Sequence, residues 1–258
     1  MSELDYRQLA AAFLKQLHGV STAVVLTGAG VSTASGIPDF RGPNGLYSRV
    51  SPRVFELDFF MTYPEEYYKI ALDRIHTMAG KEPNDNHFML ASLEDHGLIK
   101  SVITQNIDGL HKRSGTENVI ELHGNLSTFK CLKCERVYEI AVVEGMARQV
   151  GVPRCDCGGL IKPCIIFFGE QLPYEALMKA QEYARSCDLF ITMGTSLSVF
   201  PAADLPILTV KNNGRLFIIN DEETQFDRIA SVVYHCNLER FSAEVTALLD
   251  EELQSEDS

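Results

Sequence analysis

Four of the seven cysteines in this 258-residue chain stand in two close pairs. Two residues separate Cys131 from Cys134, one residue separates Cys155 from Cys157, and twenty residues lie between the pairs. Two thiolate pairs about twenty residues apart are typical of a structural zinc ribbon, where four sulfur ligands fill a tetrahedral shell. The spacing predicts a Zn²⁺ ion that stabilises the fold and has no open position for a catalytic water.

A glycine-rich stretch, residues 28–42, reads GAGVSTASGIPDFRG and directly follows the apolar run 22–27. A glycine turn after a buried strand lets the backbone approach a diphosphate closely. The third glycine of the usual dinucleotide-binding turn is missing, because Thr33 stands at that position. The stretch therefore predicts a longer loop over a ligand. Its far end adds an acceptor, an apolar ring and a cation: Asp39, Phe40 and Arg41.

Two histidines lie close to polar residues that follow apolar runs. His123, in ELHGN, is a candidate general base because an imidazole titrates near neutral pH. The stretch TQNIDGLH places Asn106 and Asp108 just after an apolar run and ends at His111. Taken alone, either histidine also fits a structural or surface role, so these residues by themselves leave catalysis undecided.

A series of short apolar runs must position these groups. The runs are residues 23–27, 101–106, 164–170, 189–196, 215–220 and 231–236. Continuous apolar strands that alternate with helices indicate a parallel sheet covered on both faces. Several runs end in small or polar residues, and ligands bind beyond the carboxyl ends of such strands. The pattern predicts one shared crevice.

Helical periodicity marks residues 2–18, with Ser2 as the capping residue, and also residues 174–185 and 238–253. Two segments break the alternation of strands and helices. Residues 43–97 are aromatic-rich and mostly helical in pattern, and residues 125–163 hold the cysteine quartet. We expect both to be insertions that form a smaller second lobe.

The composition excludes several classes of protein. Hydrophobic residues make up 45% and charged residues 22%, which is ordinary for a globular chain. The net charge of −12 argues against broad electrostatic binding of nucleic acid. No apolar run approaches the roughly 18–20 residues of a membrane span, and the first residues show no secretory pattern, so we expect a cytoplasmic protein without excluding a nuclear one. The odd number of cysteines argues against a disulfide framework.

Seven motifs together resemble the sirtuins, a family of NAD-dependent protein lysine deacylases. They are GAGVSTASGIPDFR, TQNIDGLH, ELHGN, the cysteine quartet, KPCIIFFGEQLP, MGTSLSVFPAADLP and FIIND. They follow one another in the order and approximate spacing of that family, from about residue 20 to about residue 236. The resemblance implies NAD as cosubstrate, one structural Zn²⁺, and acetylated lysine side chains of proteins or peptides as partners, with no nucleic acid or membrane. It leaves the oligomeric state open, with a monomer plausible.

The resemblance also implies a fold and a domain organisation. We expect an α/β fold with a Rossmann-like parallel sheet domain and a smaller inserted lobe made of a zinc ribbon and a helical module. The whole chain, 1–258, would form one catalytic domain. Its parts are a large lobe of about 1–42, 98–124 and 164–250, a helical insertion of about 43–97, a zinc-ribbon insertion of about 125–163, and a frayed acidic tail of 251–258.

The resemblance assigns a role to individual residues. It makes His123 the general base and Asn106 the residue that orients ribose and water. The residues expected to contact NAD are Gly28, Ala29, Gly30, Ser32, Asp39, Phe40, Arg41, Gln105, Asn106, Ile107, Asp108, Gly194, Thr195, Ser196, Asn220, Asp221 and Cys236. The residues expected to form the acyl-lysine tunnel and the peptide cleft are Ile165, Ile166, Phe168, Gly169, Glu170 and Val199.

The resemblance implies that the acetyl group passes from lysine to ADP-ribose, which gives nicotinamide, free lysine and 2′-O-acetyl-ADP-ribose. Family members that accept acidic acyl groups carry a Tyr and an Arg three residues apart in the helical insertion. The corresponding positions here are Tyr68 and Ala71. Without the arginine, we predict acetyl and other uncharged acyl groups as substrates.

Three other functions are also compatible with parts of the pattern. They are mono-ADP-ribosyl transfer from NAD, a non-catalytic NAD-sensing or zinc-ribbon binding protein, and a hydride-transferring dehydrogenase. The joint presence of Asn106, Asp108 and His123 favours deacylation over the first two. The missing third glycine disfavours the dehydrogenase.

Overall fold

The computed structural model describes residues 5–42 and 45–256. The strands of these residues are β1 (Ala23–Thr27), β2 (Ser101–Thr104), β3 (Val119–Glu121), β4 (Gly124–Cys131), β5 (Val137–Glu139), β6 (Ile161–Ile165), β7 (Leu189–Met193), β8 (Arg215–Ile219) and β9 (Val232–Tyr234). The α-helices are α1 (Tyr6–His18), α2 (Leu57–Thr62), α3 (Pro64–Arg74), α4 (Asp85–Asp95), α5 (Leu110–Arg113), α6 (Ile140–Val150), α7 (Tyr174–Ser186), α8 (Leu205–Lys211) and α9 (Leu238–Glu256). Within this described part, no helix is both long enough and apolar enough to cross a membrane.

Six of the strands form one sheet in the order β3-β2-β1-β7-β8-β9, and every pairing in it is parallel. Numbered along the chain within this sheet, the order is 3-2-1-4-5-6, which is the order of Rossmann folds. The predicted fold class is therefore confirmed. The order reverses between β1 and β7, where Thr27 lies opposite Met193. A crevice for a ligand forms at such a point, beyond the carboxyl ends of the strands.

Helices cover both faces of the large sheet, as its continuous apolar strands require. On one face, α1, α4 and α9 pack over side chains such as Val25 and Ile191, and the rings of Phe13 and Phe241 meet edge to face at 5.3 Å. On the other face, α7 and α8 pack over Leu26. Each of these fully buried side chains contributes about 1.5–3 kcal/mol through burial of apolar surface.

The two ends of the chain meet through α1 and α9. The side chain of Asp5 caps α1 by accepting a hydrogen bond from the backbone N–H of Gln8 (3.0 Å), whereas Ser2, the predicted cap, lies outside the described residues. Helix α9 continues through residues 251–256, which we expected to be frayed. Its Glu251 pairs with Arg7 of α1 at 2.6 Å, and this contact ties the end of α9 to α1.

The smaller sheet has three antiparallel strands in the order β5-β4-β6. The prediction that residues 164–170 form a strand of the parallel sheet is wrong. Only 164 and 165 are in a strand, and this strand, β6, pairs with β4 in the small sheet. An apolar run shows that a segment is buried but does not show which sheet it joins, because the partner strand is distant in sequence.

Helices α2 and α3 pack against the small sheet through an aromatic cluster. The ring of Tyr67 lies 5.0 Å from that of Phe60 and 5.4 Å from that of Phe167. The buried hydroxyl of Tyr68 donates a hydrogen bond to the carbonyl oxygen of Ile161 in β6 at 2.6 Å.

Helix α4 lies in the predicted helical insertion but differs from α2 and α3, since its apolar residues belong to the core that packs against the large sheet. The exact division of the chain into lobes stays a prediction.

The hydrogen bond between helix α3 and strand β6 can be tested by removing one hydroxyl. We expect Tyr68→Phe to lower the free energy of unfolding by about 1–2 kcal/mol, because the buried Ile161 carbonyl loses its side-chain donor. Tyr63→Phe is the matched control, since Tyr63 is 52% exposed. Chemical denaturation of the zinc-loaded protein measures both. Equal stability of the two variants would contradict the assigned bond.

Candidate active site

A cavity of about 960 Å³ lies at the reversal point of the large sheet, between its carboxyl edge and the small lobe. Residues that follow four neighbouring strands line it: Gly28 after β1, Gln105 after β2, Gly194 after β7 and Asn220 after β8. The prediction of one shared crevice at the strand ends is confirmed. Ligand pockets of small molecules and cofactors commonly have volumes of about 300–1,000 Å³.

The loop after β1 and the loop after β7 pack backbone against backbone. The N–H of Gly30 donates to the carbonyl oxygen of Gly194 at 2.9 Å. A Cβ atom on Gly30 would lie 2.8 Å from the Cα of Gly194, and one on Gly28 would lie 2.7 Å from the Gly194 oxygen. Gly194 itself has a φ of +61°. Only glycine permits this approach, which leaves a surface without side chains where a diphosphate could lie.

The stretch that follows Gly28 begins as a 3₁₀ helix, Ala29–Ser35, which contains Gly30, and then becomes a loop. The loop carries Phe40, whose ring lies 5.5 Å from that of Tyr47 and 5.8 Å from that of Phe55. The guanidinium carbon of Arg41 lies 5.7 Å from the centre of the Tyr47 ring. All four side chains line the cavity, so this wall joins an aromatic surface to a cation.

His123 joins the two sheets, because it stands between the end of β3 and the start of β4. Its Nδ1 lies 3.0 Å from the carbonyl oxygen of Gln105. A carbonyl oxygen only accepts, so the proton of a neutral ring is on Nδ1 and the lone pair is on Nε2. Burial lowers the pKa of His123, while the hydrogen bond to Gln105 opposes that shift. The ring is therefore neutral near pH 7 and can accept a proton at Nε2.

Asn106 is fixed by two hydrogen bonds from its side-chain nitrogen. Nδ2 donates to the carbonyl oxygen of Gly28 at 3.0 Å and to the hydroxyl oxygen of Ser32 at 3.1 Å. Both hydrogens of the amide are thereby used within the protein. The carboxamide is held in one orientation, and Oδ1 is the atom with which it can accept a hydrogen bond from a ligand or water.

The Ser32 hydroxyl is the centre of a buried network behind Asn106. It donates to Oδ2 of Asp108 at 2.8 Å and lies 3.3 Å from Nε2 of His87. The backbone N–H of Asn84 donates to Nδ1 of His87, so the His87 proton is on Nε2 and points to Ser32. Burial raises the pKa of Asp108 and lowers that of His87 to about 4. His111 is also buried, 2.9 Å from the Thr27 hydroxyl, rather than on the surface.

The structure brings nearly all of the cofactor, catalytic and substrate residues predicted from the sequence to this one cavity. The three that do not line it are Ser32, Asp108 and Cys236. Ser32 and Asp108 lie in the network just described. Cys236 is 3% exposed, and burial raises the pKa of its thiol to about 11. Their direct contact with NAD stays a prediction.

Sequence reasoning missed several residues of this site. Tyr47 and Phe55 form part of the aromatic wall, Asn237 lines the cavity after β9, and His87 supports Ser32. The signal for Asn237 was its place directly after an apolar run. The signal for His87 was its place three residues after Asn84 at the start of a helix. The two residues form a capping box on α4, in which each side chain accepts a hydrogen bond from a backbone N–H of the first turn. The aromatic residues of 43–97 gave no such signal, because aromatic side chains there also build the core.

Residues 165–170, named here the substrate segment, form one wall of the cavity. The N–H of Ile166 donates to the His123 carbonyl oxygen at 2.9 Å, and the N–H of Phe168 donates to the Phe55 carbonyl oxygen at 2.7 Å. Tyr68 and Ala71, from which we inferred the choice of acyl group, are fully buried and do not line the cavity. The structure therefore does not support the acyl preference through these two positions.

The four cysteines of the predicted zinc site come together in the small lobe. The sulfur atoms of Cys131, Cys134, Cys155 and Cys157 all lie within 4.8 Å of one another, and two of the pairs are 3.5 Å apart. Sulfur ligands about 2.3 Å from a tetrahedral Zn²⁺ would be about 3.8 Å apart. The donor set and its spacing fit a structural zinc, which these residues would hold away from the cavity.

Loss of one zinc ligand tests this structural role. We expect Cys134→Ser to lose bound zinc and to lower the Tm by at least about 5 °C, since each kcal/mol shifts Tm by about 2–4 °C in a chain of this size. Cys164→Ser is the matched control, because Cys164 is a half-buried thiol outside the quartet. Metal analysis and thermal unfolding give both readouts. A zinc-free variant that melts like the parent would refute the role.

Comparison with known proteins agrees with the arrangement of the site. The model of the Sir2 family matches residues 28–201, more than half of the chain. An NAD-dependent protein deacetylase of Thermotoga maritima is 48% identical over 234 residues, which are 90% of this chain and 95% of that protein.

Solved structures give the same result. A Sir2 variant described with a deacetylated p53 peptide and 3′-O-acetyl ADP ribose has a TM-score of 0.90 and 47% identity over 92% of this chain and 97% of that one. A Sir2 structure with p53 peptide and NAD⁺ has a TM-score of 0.88 and 46% identity over 93% and 98%. This chain, with its large parallel sheet, its glycine contact and its cysteine quartet, belongs to the Sir2 family.

Proposed function

We propose that this protein is an NAD-dependent protein-lysine deacetylase. It transfers the acetyl group from lysine to ADP-ribose and gives nicotinamide, deacetylated lysine and 2′-O-acetyl-ADP-ribose. The similar proteins named above support the proposal, since one is described as an NAD-dependent protein deacetylase and two contain a p53 peptide with NAD⁺ or an acetylated ADP-ribose.

One observation of the site carries the proposal. His123 is a neutral histidine whose proton is held on Nδ1 by the Gln105 carbonyl, so that its basic nitrogen is Nε2. It lines a cavity that also contains the glycine contact after β1 and β7 and the oriented side chain of Asn106. A general base, a diphosphate surface and a polar group that can orient a sugar are the parts that the reaction needs.

Bound NAD supplies the anomeric carbon that the amide oxygen of acetyl-lysine attacks as nicotinamide leaves. His123 would then accept a proton at Nε2 from a ribose hydroxyl, and the freed oxygen would attack the acyl carbon. The bond between that carbon and the lysine nitrogen breaks, His123 returns the proton to the departing amine, and one water molecule is consumed to complete the acetylated ADP-ribose. Oδ1 of Asn106 would hold the ribose or a water in place. The aromatic wall of Phe40, Tyr47 and Phe55 and the substrate segment give this space apolar surfaces that would displace water when the substrates bind.

The charges of the cavity support a preference for uncharged acyl groups. Among the described lining residues, Arg41 is the one lysine or arginine, and it lies in the loop that carries Asp39 and Phe40. An acidic acyl group such as succinyl would need a cation at the end of the acyl tunnel. The proposed acyl groups are therefore acetyl and other uncharged ones.

We also propose a single catalytic domain over 1–258 and a cytoplasmic location. The chain-wide similarity to Sir2 structures supports the first. All seven cysteines are free, which suits a reducing compartment and a thiolate zinc site, and this supports the second.

Mutation of His123 tests the proposed reaction directly. We expect His123→Ala to lower kcat/KM by about 10²–10⁴, because the general base is lost, while NAD still binds. The assay is mass spectrometry of an acetyl-lysine peptide with and without NAD, which follows acetyl loss, nicotinamide and acetylated ADP-ribose. A parallel succinyl-lysine peptide tests the acyl preference.

His96→Ala is the matched control for that variant, because His96 is an exposed histidine at the end of α4. Its kcat/KM should equal that of the parent protein. Nicotinamide release with the peptide still acetylated and ADP-ribose attached to protein would replace the deacetylase by an ADP-ribosyltransferase. NAD binding without consumption would indicate a sensor protein.

The pH dependence of kcat follows from the buried state of His123. Because burial lowers its pKa below the ordinary value of 6.5, the neutral base persists below pH 6.5 and is lost as the pH falls through the lowered pKa. We expect the acid decline of kcat to be centred below pH 6.5. A decline centred above pH 7 would contradict this.

Acid unfolding must be separated from this decline. Burial lowers the pKa of His76 and of His87 to about 4, so both are neutral in the folded protein. The unfolded chain takes up protons at these histidines as the pH falls below about 6.5, and stability decreases from there. Circular dichroism at each pH identifies the range in which the protein stays folded, and kcat is compared within it.

A further inference from the structure

A buried lysine that does not line the cavity contacts the substrate segment at several points. Lys162 lies in β6, three residues before the strand ends at Ile165, and its side chain is only 7% exposed. Its Nζ donates to the carbonyl oxygen of Ile165 at 2.7 Å and to that of Pro163 at 3.2 Å. A carboxylate oxygen of Glu170 lies 2.8 Å away. The three donors of the ammonium thus have three acceptors.

The same contacts bring together the two ends of the substrate segment. Ile165 begins the segment and Glu170 ends it, and one ammonium group binds both. Oε2 of Glu170 also accepts a hydrogen bond from the N–H of Phe167 at 2.8 Å, and Nζ of Lys162 lies 4.3 Å from the centre of the Phe167 ring. The segment is therefore folded around the Lys162 ammonium as a closed turn.

The position of Lys162 also connects this turn to the zinc ribbon. In the pairing of β4 with β6, Lys130 lies opposite Lys162 and Cys131 lies opposite Ile161, the residue before it. Strand β6, which carries Lys162, is thus paired at its first residue with Cys131, the first of the four cysteines. Strand β6 leads from this place directly into the substrate segment, and the Lys162 side chain adds a second connection between the two.

We propose that Lys162 is a positioning residue for the acyl-lysine substrate: its ammonium fixes the substrate segment in the form that receives the peptide. The inference rests on the proposed function, because it assumes that an acyl-lysine peptide lies against this wall. Lys162 touches neither the cavity nor the reacting atoms. Its loss should weaken peptide binding and leave NAD binding on the opposite wall unchanged.

The test compares three variants in the full-length, zinc-loaded protein. Lys162→Met keeps the length of the side chain and removes the charge, Lys162→Arg keeps a charge, and Glu170→Gln removes the carboxylate charge from the other partner. Lys130→Met is the matched control, since Lys130 lies opposite on β4 and its side chain is 46% exposed. The readouts are the Kd of a fluorescent acetyl-lysine peptide, the Kd of NAD, the KM of each substrate, the zinc content and the Tm.

We expect Lys162→Met to raise the peptide Kd and KM at least about 10-fold and to leave the NAD Kd within about 2-fold, because a displaced wall affects only the ligand that touches it. Lys162→Arg should recover part of the loss, and Glu170→Gln should act in the same direction as Lys162→Met. Zinc content should stay at the parent value. If Lys162→Met does not fold, Lys162→Arg decides by the same comparison of the peptide Kd with the NAD Kd, since Glu170 lines the cavity and its variant also removes a direct substrate contact.

Unchanged peptide affinity, or equal losses for peptide and NAD, would overturn the proposal and indicate a general structural role. A result in which Lys162→Arg is no better than Lys162→Met would overturn it as well. The proposed function fails separately, if the parent protein binds the peptide and NAD but removes no acetyl group. In that case the peptide Kd of the Lys162 variants relative to the parent protein still decides the role of Lys162. A parent protein that binds no acetyl-lysine peptide refutes the proposed role of Lys162.

Discussion

The close contact between the loops after β1 and β7 is the constraint on which the cavity depends. Gly28, Gly30 and Gly194 meet with their backbones, and a Cβ atom on any of them would fall within 3 Å of the opposite loop. The contact occurs where the strand order reverses, which is the point where a crevice forms beyond the carboxyl ends of the strands. The side chain of Gln105 spans the same place and donates to the Thr195 hydroxyl at 2.9 Å. A bulky residue here would separate the loops and remove the smooth surface that a diphosphate needs.

Burial sets the protonation state of the histidines and thereby separates their roles. Burial lowers the pKa of His76, His87, His111 and His123, so all four are neutral in the folded protein. In His87 the free proton points to Ser32 and orders the network behind Asn106. In His123 the proton is directed to a backbone carbonyl, and the basic nitrogen is left for a ligand. One physical cause therefore produces a positioning residue in one place and a candidate base in another.

The sequence predicts those features that depend on residues close to one another along the chain. The strand 23–27 can be predicted because four of its five residues are apolar, and the zinc site because its ligands lie in two short spacings. The sheet to which β6 belongs could not be predicted, because its partner β4 lies some thirty residues earlier in the chain. For the same reason the sequence could not show that Tyr68, which we compared with a residue that selects acidic acyl groups, bonds through its hydroxyl to a carbonyl of β6. A motif identifies which residues belong to a site, but the tertiary packing determines which of their side chains line the cavity.

The two halves of the site are stabilised by different means, and the chemistry explains why. The NAD side needs backbone groups and small residues, and the large sheet provides them at the ends of its buried strands. The peptide side needs an irregular segment that a sheet of three short strands holds weakly by itself. Four thiolates that can bind zinc lie where β4 ends and β6 begins, and the His123 carbonyl binds the N–H of Ile166, so both act at the start of the segment, whereas Lys162 binds its two ends. The segment also packs into the core of the small lobe, where Ile165 and Phe167 are buried beside the aromatic residues of α2 and α3, so this core and the cysteine quartet together would hold the wall that receives the substrate.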